Sequence, residues 1–215
     1  YLKDFQTQKV KSVSAYITVV RGCTNFCSYC IVPFVRGKEE SRTIDEILDE
    51  VKILVKNGVK EIVLLGQNVN VYGLDISTNL ENLLLEINNI DEIKRIRYLT
   101  SHPMSVNQKF IEAITKIPKL AHHIHIPFQS GSNKILKLMN RKYTKEEYIE
   151  KVRELRKAIP DIGITADIIV GFPSETEQDF LETISLLEEC KLDNVYSFKY
   201  SPREGTFAFK NLLDD

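Results

Sequence analysis

Arg21-Gly22-Cys23-Thr24-Asn25-Phe26-Cys27-Ser28-Tyr29-Cys30 carries three of the four cysteines of this 215-residue chain. Three residues separate the first pair and two the second, so one tight loop can turn all three thiolates toward a single metal centre. Three thiols cannot pair off as disulfides, and the fourth cysteine, Cys190, is remote; so few cysteines do not make a disulfide scaffold. Structural zinc wants four ligands, usually from two paired spacings, and no second Cys-x-x-Cys exists. An iron–sulfur cluster takes one Cys thiolate per iron, so a four-iron cluster on three cysteines keeps one iron open to a small molecule. Zinc or a redox-active thiol group is the competing reading.

Outward from this loop, the chain alternates between the two hydrophobic periods. Residues 15–20 are β-rich and run straight into the cysteines, which places the centre at the carboxyl end of a first strand. Helical spacing follows over residues 44–58, where Ile44, Ile47, Leu48, Val51, Leu54 and Val55 form one stripe. Further strands are expected at 59–66, 95–100, 123–128, 163–170 and 194–200. Further helices are expected at 80–90, 106–117, 134–139, 145–159 and 175–190. Six strands alternating with helices imply an α/β fold, a (βα)6 partial TIM barrel with a parallel sheet and right-handed crossovers. Chemistry in such barrels gathers where the strand-to-helix loops converge. The loops that follow the strands are the polar and glycine-bearing ones: the cysteine loop, Gly66-Gln67-Asn68, Ser101-His102-Pro103, Gln129-Ser130-Gly131-Ser132, Gly171-Phe172-Pro173 and Ser201-Pro202-Arg203.

Composition is that of a globular domain, 43% hydrophobic and 27% charged, with a formal net charge of −1. That charge excludes a whole-surface basic footprint, so a nucleic-acid partner would have to be met by a local patch. No apolar run approaches the ~20 residues of a membrane span, so no membrane partner is expected. The chain opens on Tyr1 with no charged-then-apolar leader. It reads as an internal piece of a longer cytoplasmic protein: residues 1–14 a linker from an earlier domain, 15–209 the core, and 210–215 the start of a linker to a later one.

The cysteine spacing, with an aromatic residue before the last cysteine, resembles the radical S-adenosylmethionine (radical SAM) superfamily. Over residues 15–209 the chain looks like the core of its methylthiotransferases. Leu65-Gly66-Gln67-Asn68-Val69-Asn70, Thr100-Ser101-His102-Pro103 and the run from His125 to Arg141 resemble the branch acting on isopentenylated adenosine beside the tRNA anticodon. A threonylcarbamoyl-adenosine substrate, another radical SAM reaction, or a metal-binding RNA module without turnover are the alternatives. The resemblance implies a 4Fe-4S cluster on Cys23, Cys27 and Cys30, its open iron chelating the methionine moiety of SAM, and a 5′-deoxyadenosyl radical as reagent. It also implies a tRNA substrate, an electron donor, a second 4Fe-4S cluster in an N-terminal domain, and a C-terminal β domain that helps hold RNA.

For the other site residues the resemblance suggests roles that simpler readings contest. Tyr29 would pack near the adenine. Gly66 and Gln67 would present groups to the methionine amino end, or form an ordinary turn. Ser130 with Gly131 would offer a hydroxyl and close backbone approach, or belong to a helix cap like Ser132. Arg141 would clamp the SAM carboxylate bidentately, or make a surface salt bridge. Asp167 is a charge inside an apolar strand, costly unless paired or lining a site. Glu175 suits a helix start through the dipole alone. Alternation puts His123 and His125 on one face, with a polar-lining role expected. Arg36, Arg42 and Arg203 stand near the mouth as phosphate contacts, or as partners of Glu39, Glu40 or Glu204. Cys190, on an apolar helical stripe with Leu186 and Leu187, reads as core.

Overall fold

The computed structural model describes residues 12–212; of the linkers expected at 1–14 and 210–215, residues 1–11 and 213–215 lie outside them, while Ser14 already belongs to the first strand and residues 210–211 to the last helix. In chain order the elements are β1 (Ser14–Thr18), β2 (Val20–Arg21), α1 (Val32–Arg36), β3 (Glu40–Ser41), α2 (Ile44–Lys56), β4 (Glu61–Leu65), α3 (Leu80–Asn88) and β5 (Arg95–Tyr98). They continue with α4 (Gln108–Ile114), β6 (His123–His125), α5 (Asn133–Leu138), α6 (Lys145–Ala158), β7 (Gly163–Val170), α7 (Glu177–Cys190), β8 (Asn194–Lys199) and α8 (Phe207–Asn211).

Six strands make the barrel wall. β1, β4 and β5 pair in parallel, as do β6, β7 and β8. A thin seam joins the two halves: the Ile96 amide donates to Lys119 O, the Ala121 amide to Ile96 O, and the Ser101 amide to His125 O. The strands therefore run in sequence order, and among the described residues β1 and β8 do not pair, which leaves the barrel open. Helix contacts follow the same circuit, α2 on α3, α3 on α4, α4 on α6 and α6 on α7.

Alternation separates two environments. Ile62, Leu64, Ile96, Tyr98, Ile124, Ile164, Ala166 and Ile168 are buried in one core with Val51, Leu84, Phe110, Tyr148 and Leu155 of the helices. The opposite strand face carries Glu61, Arg97, His123, His125, Thr165 and Asp167, all half-buried. Glu61 receives hydrogen bonds from Ser14 Oγ at 3.0 Å and Arg97 Nε at 2.9 Å. The bore is thus polar, unlike the apolar layers that fill a closed eight-stranded barrel.

Capping chemistry sets several boundaries. Thr43, Thr144 and Thr176 each form a capping box, with Glu46, Glu147 and Asp179 respectively. The last corrects the expectation of a helix from residue 175: Thr176 takes an extended N-cap conformation, so α7 begins at Glu177 and Glu175 stays in the preceding turn. The β2–β3 ladder and the short helices α1 and α8 were not anticipated. Among the described residues no helix is long and apolar enough to cross a membrane.

Candidate functional site

The cysteine loop is fixed from several directions before any metal arrives. Gly22 has φ +84°, and a Cβ there would lie 2.0 Å from Lys38 O, so only glycine lets the β2–β3 ladder close over the loop. The Gly22 amide donates to Gln67 Oε1 at 2.8 Å, and the Cys23 amide to Gly37 O at 3.0 Å. Glu39 accepts from the Thr24 amide and hydroxyl. The Ser28 amide donates to Met139 O, Asn140 Nδ2 donates to Phe26 O, and Ser28 O accepts from the Ala208 amide of α8.

All three loop cysteines are half-buried free thiols lining one cavity of about 220 Å³. Gln67, His102, Gln129, Arg141 and Asp167 line it as well. A second cavity of about 320 Å³ shares Tyr29, Gln129 and Asp167 with it and continues to Phe198, Tyr200 and Arg203. Together they make one cleft at the carboxyl ends of the strands. A larger cavity of about 1040 Å³ lies against Phe26, Phe34, Leu138 and Phe207. Of the three loop cysteines only Cys27 reaches it, beside Lys134 and Lys137, whereas all three line the smaller cleft.

Burial pushes the Cys23 and Cys30 thiols above their ordinary pKa. Among the described residues no three His, Cys, Asp or Glu side chains converge tightly enough for a single metal ion. Three soft thiols that line one cavity fit a cluster with one thiolate per iron.

Arg141 enters the cleft, but not as a free clamp. It is 8% exposed. Nε donates to the Tyr143 hydroxyl at 2.8 Å, Nη2 to Pro127 O at 2.8 Å, and Nη1 faces Cys27 Sγ at 3.2 Å. Its guanidinium carbon also sits 5.2 Å from the Tyr143 ring centroid. Neither a surface salt bridge nor an uncommitted fork describes it; its charge is aimed at the Cys27 sulfur.

The remaining expected residues divide. Tyr29 lines both cavities and packs edge-on against Phe172. Gly66 is required by packing, since a Cβ would come within 2.6 Å of Val20 Cγ1; Gln67 anchors the cysteine loop. Asp167 lines both cavities. Ser130 does not reach them: it is fully buried, its Oγ accepts from the Ser132 amide and sits beside Thr183 Oγ1, and Gly131 is pressed against α7. Ser132 caps α5, as the simpler reading held. Arg42 is also withdrawn from the mouth, bound to Glu50 at 2.6 Å and to Thr18 O at 3.2 Å. Arg36 and Arg203 form no ion pair among the described residues, and Arg203 lines the second cavity. Glu175 accepts from the Gly171 and Phe172 amides, tying the turn after β7. Cys190 is buried in the core.

Two cleft residues escaped the sequence reading. Gln129, at φ +71° and bridged to β7, is turned into both cavities; its place in the polar loop after β6 was the available signal. His102 is held neutral, its pKa depressed to about 3 by burial and then by the Arg141 charge. Its Nδ1 accepts from the Met104 amide, so its proton is on Nε2.

The family model described as the radical SAM superfamily matches residues 17–187. The tRNA-2-methylthio-N(6)-dimethylallyladenosine synthase of Acetivibrio thermocellus is 54% identical over 205 residues, covering 94% of this chain and 43% of that protein. The synthase of the same name from Syntrophus aciditrophicus is 54% identical over 200 residues, 92% of this chain and 43% of that one. The chain thus spans less than half the length of these curated relatives. Among solved structures, the radical S-adenosylmethionine methyltransferase TsrM of Kitasatospora setae, with cobalamin and a 4Fe-4S cluster bound, superimposes with a TM-score of 0.75 at 17% identity, covering 91% of this chain and 38% of that one. Coproporphyrinogen III oxidase (HemN) from Escherichia coli, a radical SAM enzyme, gives 0.68 at 15%, covering 96% and 49%. At such identities these two bear on the fold alone.

Proposed function

The chain belongs to the radical SAM superfamily, and from that premise we propose that it is the cluster- and SAM-binding core of a tRNA methylthiotransferase acting at C2 of isopentenylated adenosine beside the anticodon. The observation that carries this reading is the convergence of Cys23, Cys27 and Cys30 with Gln129, Asp167 and Arg141 on one cleft. The identity to the dimethylallyladenosine synthases supports the choice of substrate.

Cys23, Cys27 and Cys30 would hold a four-iron cluster, which would supply the reducing chemistry needed with SAM at a C–H bond that no side-chain acid or base can activate. The protein holds and shields. Cys23, Cys27 and Cys30 are the ligands, fixed by the Gln67, Glu39, Met139 and Asn140 contacts to their loop. Arg141 places a buried positive charge 3.2 Å from Cys27 Sγ. Asp167 and Gln129 face the space where SAM would lie, and Tyr29 closes one wall. His102 offers a fixed N–H donor. Arg36 and Arg203 are the remaining candidates for phosphate contact. A second 4Fe-4S cluster, an electron donor and a cytoplasmic setting complete the proposal.

Anaerobic loading with iron and sulfide tests it. The broad visible absorbance of a four-iron cluster and 5′-deoxyadenosine release from SAM after reduction are expected. A colourless protein retaining zinc would overturn the reading in favour of a metal-binding RNA module. Mass spectrometry of tRNA nucleosides from a deletion strain decides between isopentenylated and threonylcarbamoylated adenosine.

A further inference from the structure

Deeper in the bore than the cleft, three polar side chains have no part in the site described so far. His123 and His125 on β6 stand beside Gly163 and Thr165 of β7 in the strand register. Thr165 Oγ1 lies 2.9 Å from His125 Nδ1 and 3.2 Å from His123 Nε2, and His125 Nε2 lies 3.3 Å from Asp167 Oδ2.

Proton counting orders this chain. A carboxylate only accepts, so the bond to Asp167 requires a proton on His125 Nε2, which in the neutral imidazole leaves Nδ1 an acceptor. The single Thr165 proton then goes to His125 Nδ1, and Thr165 Oγ1 accepts from Nε2–H of His123. Every bond runs toward Asp167, and each strengthens the next. The chain starts at His123 Nδ1, a buried nitrogen without a hydrogen-bond partner among the described residues. A bare lone pair there agrees with burial, and next the Arg97 charge, holding His123 below the ordinary imidazole pKa.

We propose that His123, Thr165 and His125 are positioning residues: they form a one-way hydrogen-bond relay that fixes the Asp167 carboxylate and leaves Oδ1 to accept from a hydroxyl or ammonium donor of SAM. The identity of that ligand rests on the function proposed above; the direction of the relay does not. A merely structural polar patch would not need a uniform direction, nor would it end on the acidic side chain that lines both cavities.

The test begins on cluster-free protein labelled with 15N and 13C. With only four histidines in the chain, two-bond 15N–1H spectra identify each tautomer. Nε2–H is expected for both His123 and His125 at neutral pH. Thr165→Ala should move the Asp167 carboxyl 13C resonance, and Thr165→Ser should return it toward the parent position. In cluster-loaded protein Thr165→Ala should weaken SAM binding on the order of tenfold, the scale of a lost hydrogen bond to a charged group, with Thr165→Ser recovering it at an unchanged melting temperature. His125 protonated on Nδ1, or an Asp167 resonance indifferent to Thr165→Ala, overturns the relay. Parent protein that binds no SAM while the tautomers and the carboxyl shift come out as stated sinks the cofactor reading and supports the relay.

Discussion

Arg141 makes the local chemistry concrete. A guanidinium that is 8% exposed with donors committed to Tyr143, Pro127 O and Cys27 belongs to the frame as much as to the ligand site. Sequence reasoning expects an alanine variant to fold normally and lose only SAM; the packing predicts otherwise. Arg141→Ala takes the 2.8 Å donor from Pro127 O, leaving it the 3.5 Å contact of the Tyr143 hydroxyl, and should lower unfolding free energy by roughly 2–4 kcal/mol, read by urea denaturation. Arg141→Lys retains charge but not the fork, so it should recover only part of the loss. Normal stability in both would return Arg141 to a pure ligand role. The cysteines separate cleanly. Alanine at Cys23, Cys27 or Cys30 should abolish iron retention after anaerobic loading, whereas Cys190→Ala should keep it and cost about 1 kcal/mol through lost packing. Iron content equal to the parent in Cys27→Ala would refute the ligand assignment.

Secondary-structure elements were legible wherever hydrophobic period and capping agreed. The six barrel strands and the helices between them follow from 2.0 and 3.6 periodicity, and most boundaries move by one to three residues where a cap or proline intervenes. β2 and β3, two residues each, are too short to have a period; their pairing comes from Gly22, whose positive φ the sequence does not announce. The site residues lost between sequence and structure were lost for one reason, that partners across elements depend on register. Thr165 meets His125 because β6 and β7 align so, and Ser130 turns away because α7 brings Thr183 to it. Gly22→Ala should therefore leave the barrel's far-ultraviolet spectrum intact but sharply reduce iron loading, and undiminished loading would show the loop tolerates a displaced β2–β3 ladder. Asp179 ties α5 to α7 through Ser132 at 2.6 Å and Lys134 at 2.8 Å while closing the Thr176 cap. Burial alone would raise its carboxyl pKa, but these hydrogen bonds outweigh it and hold the pKa well below the usual carboxylate range. The folded value lies below the unfolded one, so this stabilisation is complete above the unfolded pKa of ~4 and is lost as pH falls through the folded value. Asp179→Asn should cost roughly 2 kcal/mol near neutrality and progressively less in acid; a penalty independent of pH would remove the charge from the explanation.

At the scale of the whole molecule, the number of thiolates limits what these 215 residues accomplish. Three cysteines share the cleft, and the fourth, Cys190, is buried in the core on α7, so under the proposed assignment the chain has ligands for one cluster. Generating the radical from SAM needs one cluster with an open iron, and the three proposed ligands are enough for that. Methylthiolation also needs a sulfur source, which in the proposed family belongs with a second cluster, and one buried thiol cannot hold another. RNA affinity should be weak as well: a formal net charge of −1 gives little long-range attraction for phosphate, and Arg42 is engaged by Glu50. These limits act on different steps and can be separated. With dithionite and SAM, the loaded chain should release 5′-deoxyadenosine whether or not tRNA is present, and isopentenylated tRNA digested afterwards should contain no methylthio nucleoside. Raising tRNA concentration at low salt should overcome weak binding without producing the methylthio product, because in the proposed division the sulfur source is independent of affinity. Methylthio nucleoside formed by these residues alone would mean that the cleft holds its own sulfur route, and the division between a radical-generating core and a separate sulfur-bearing part would have to be abandoned.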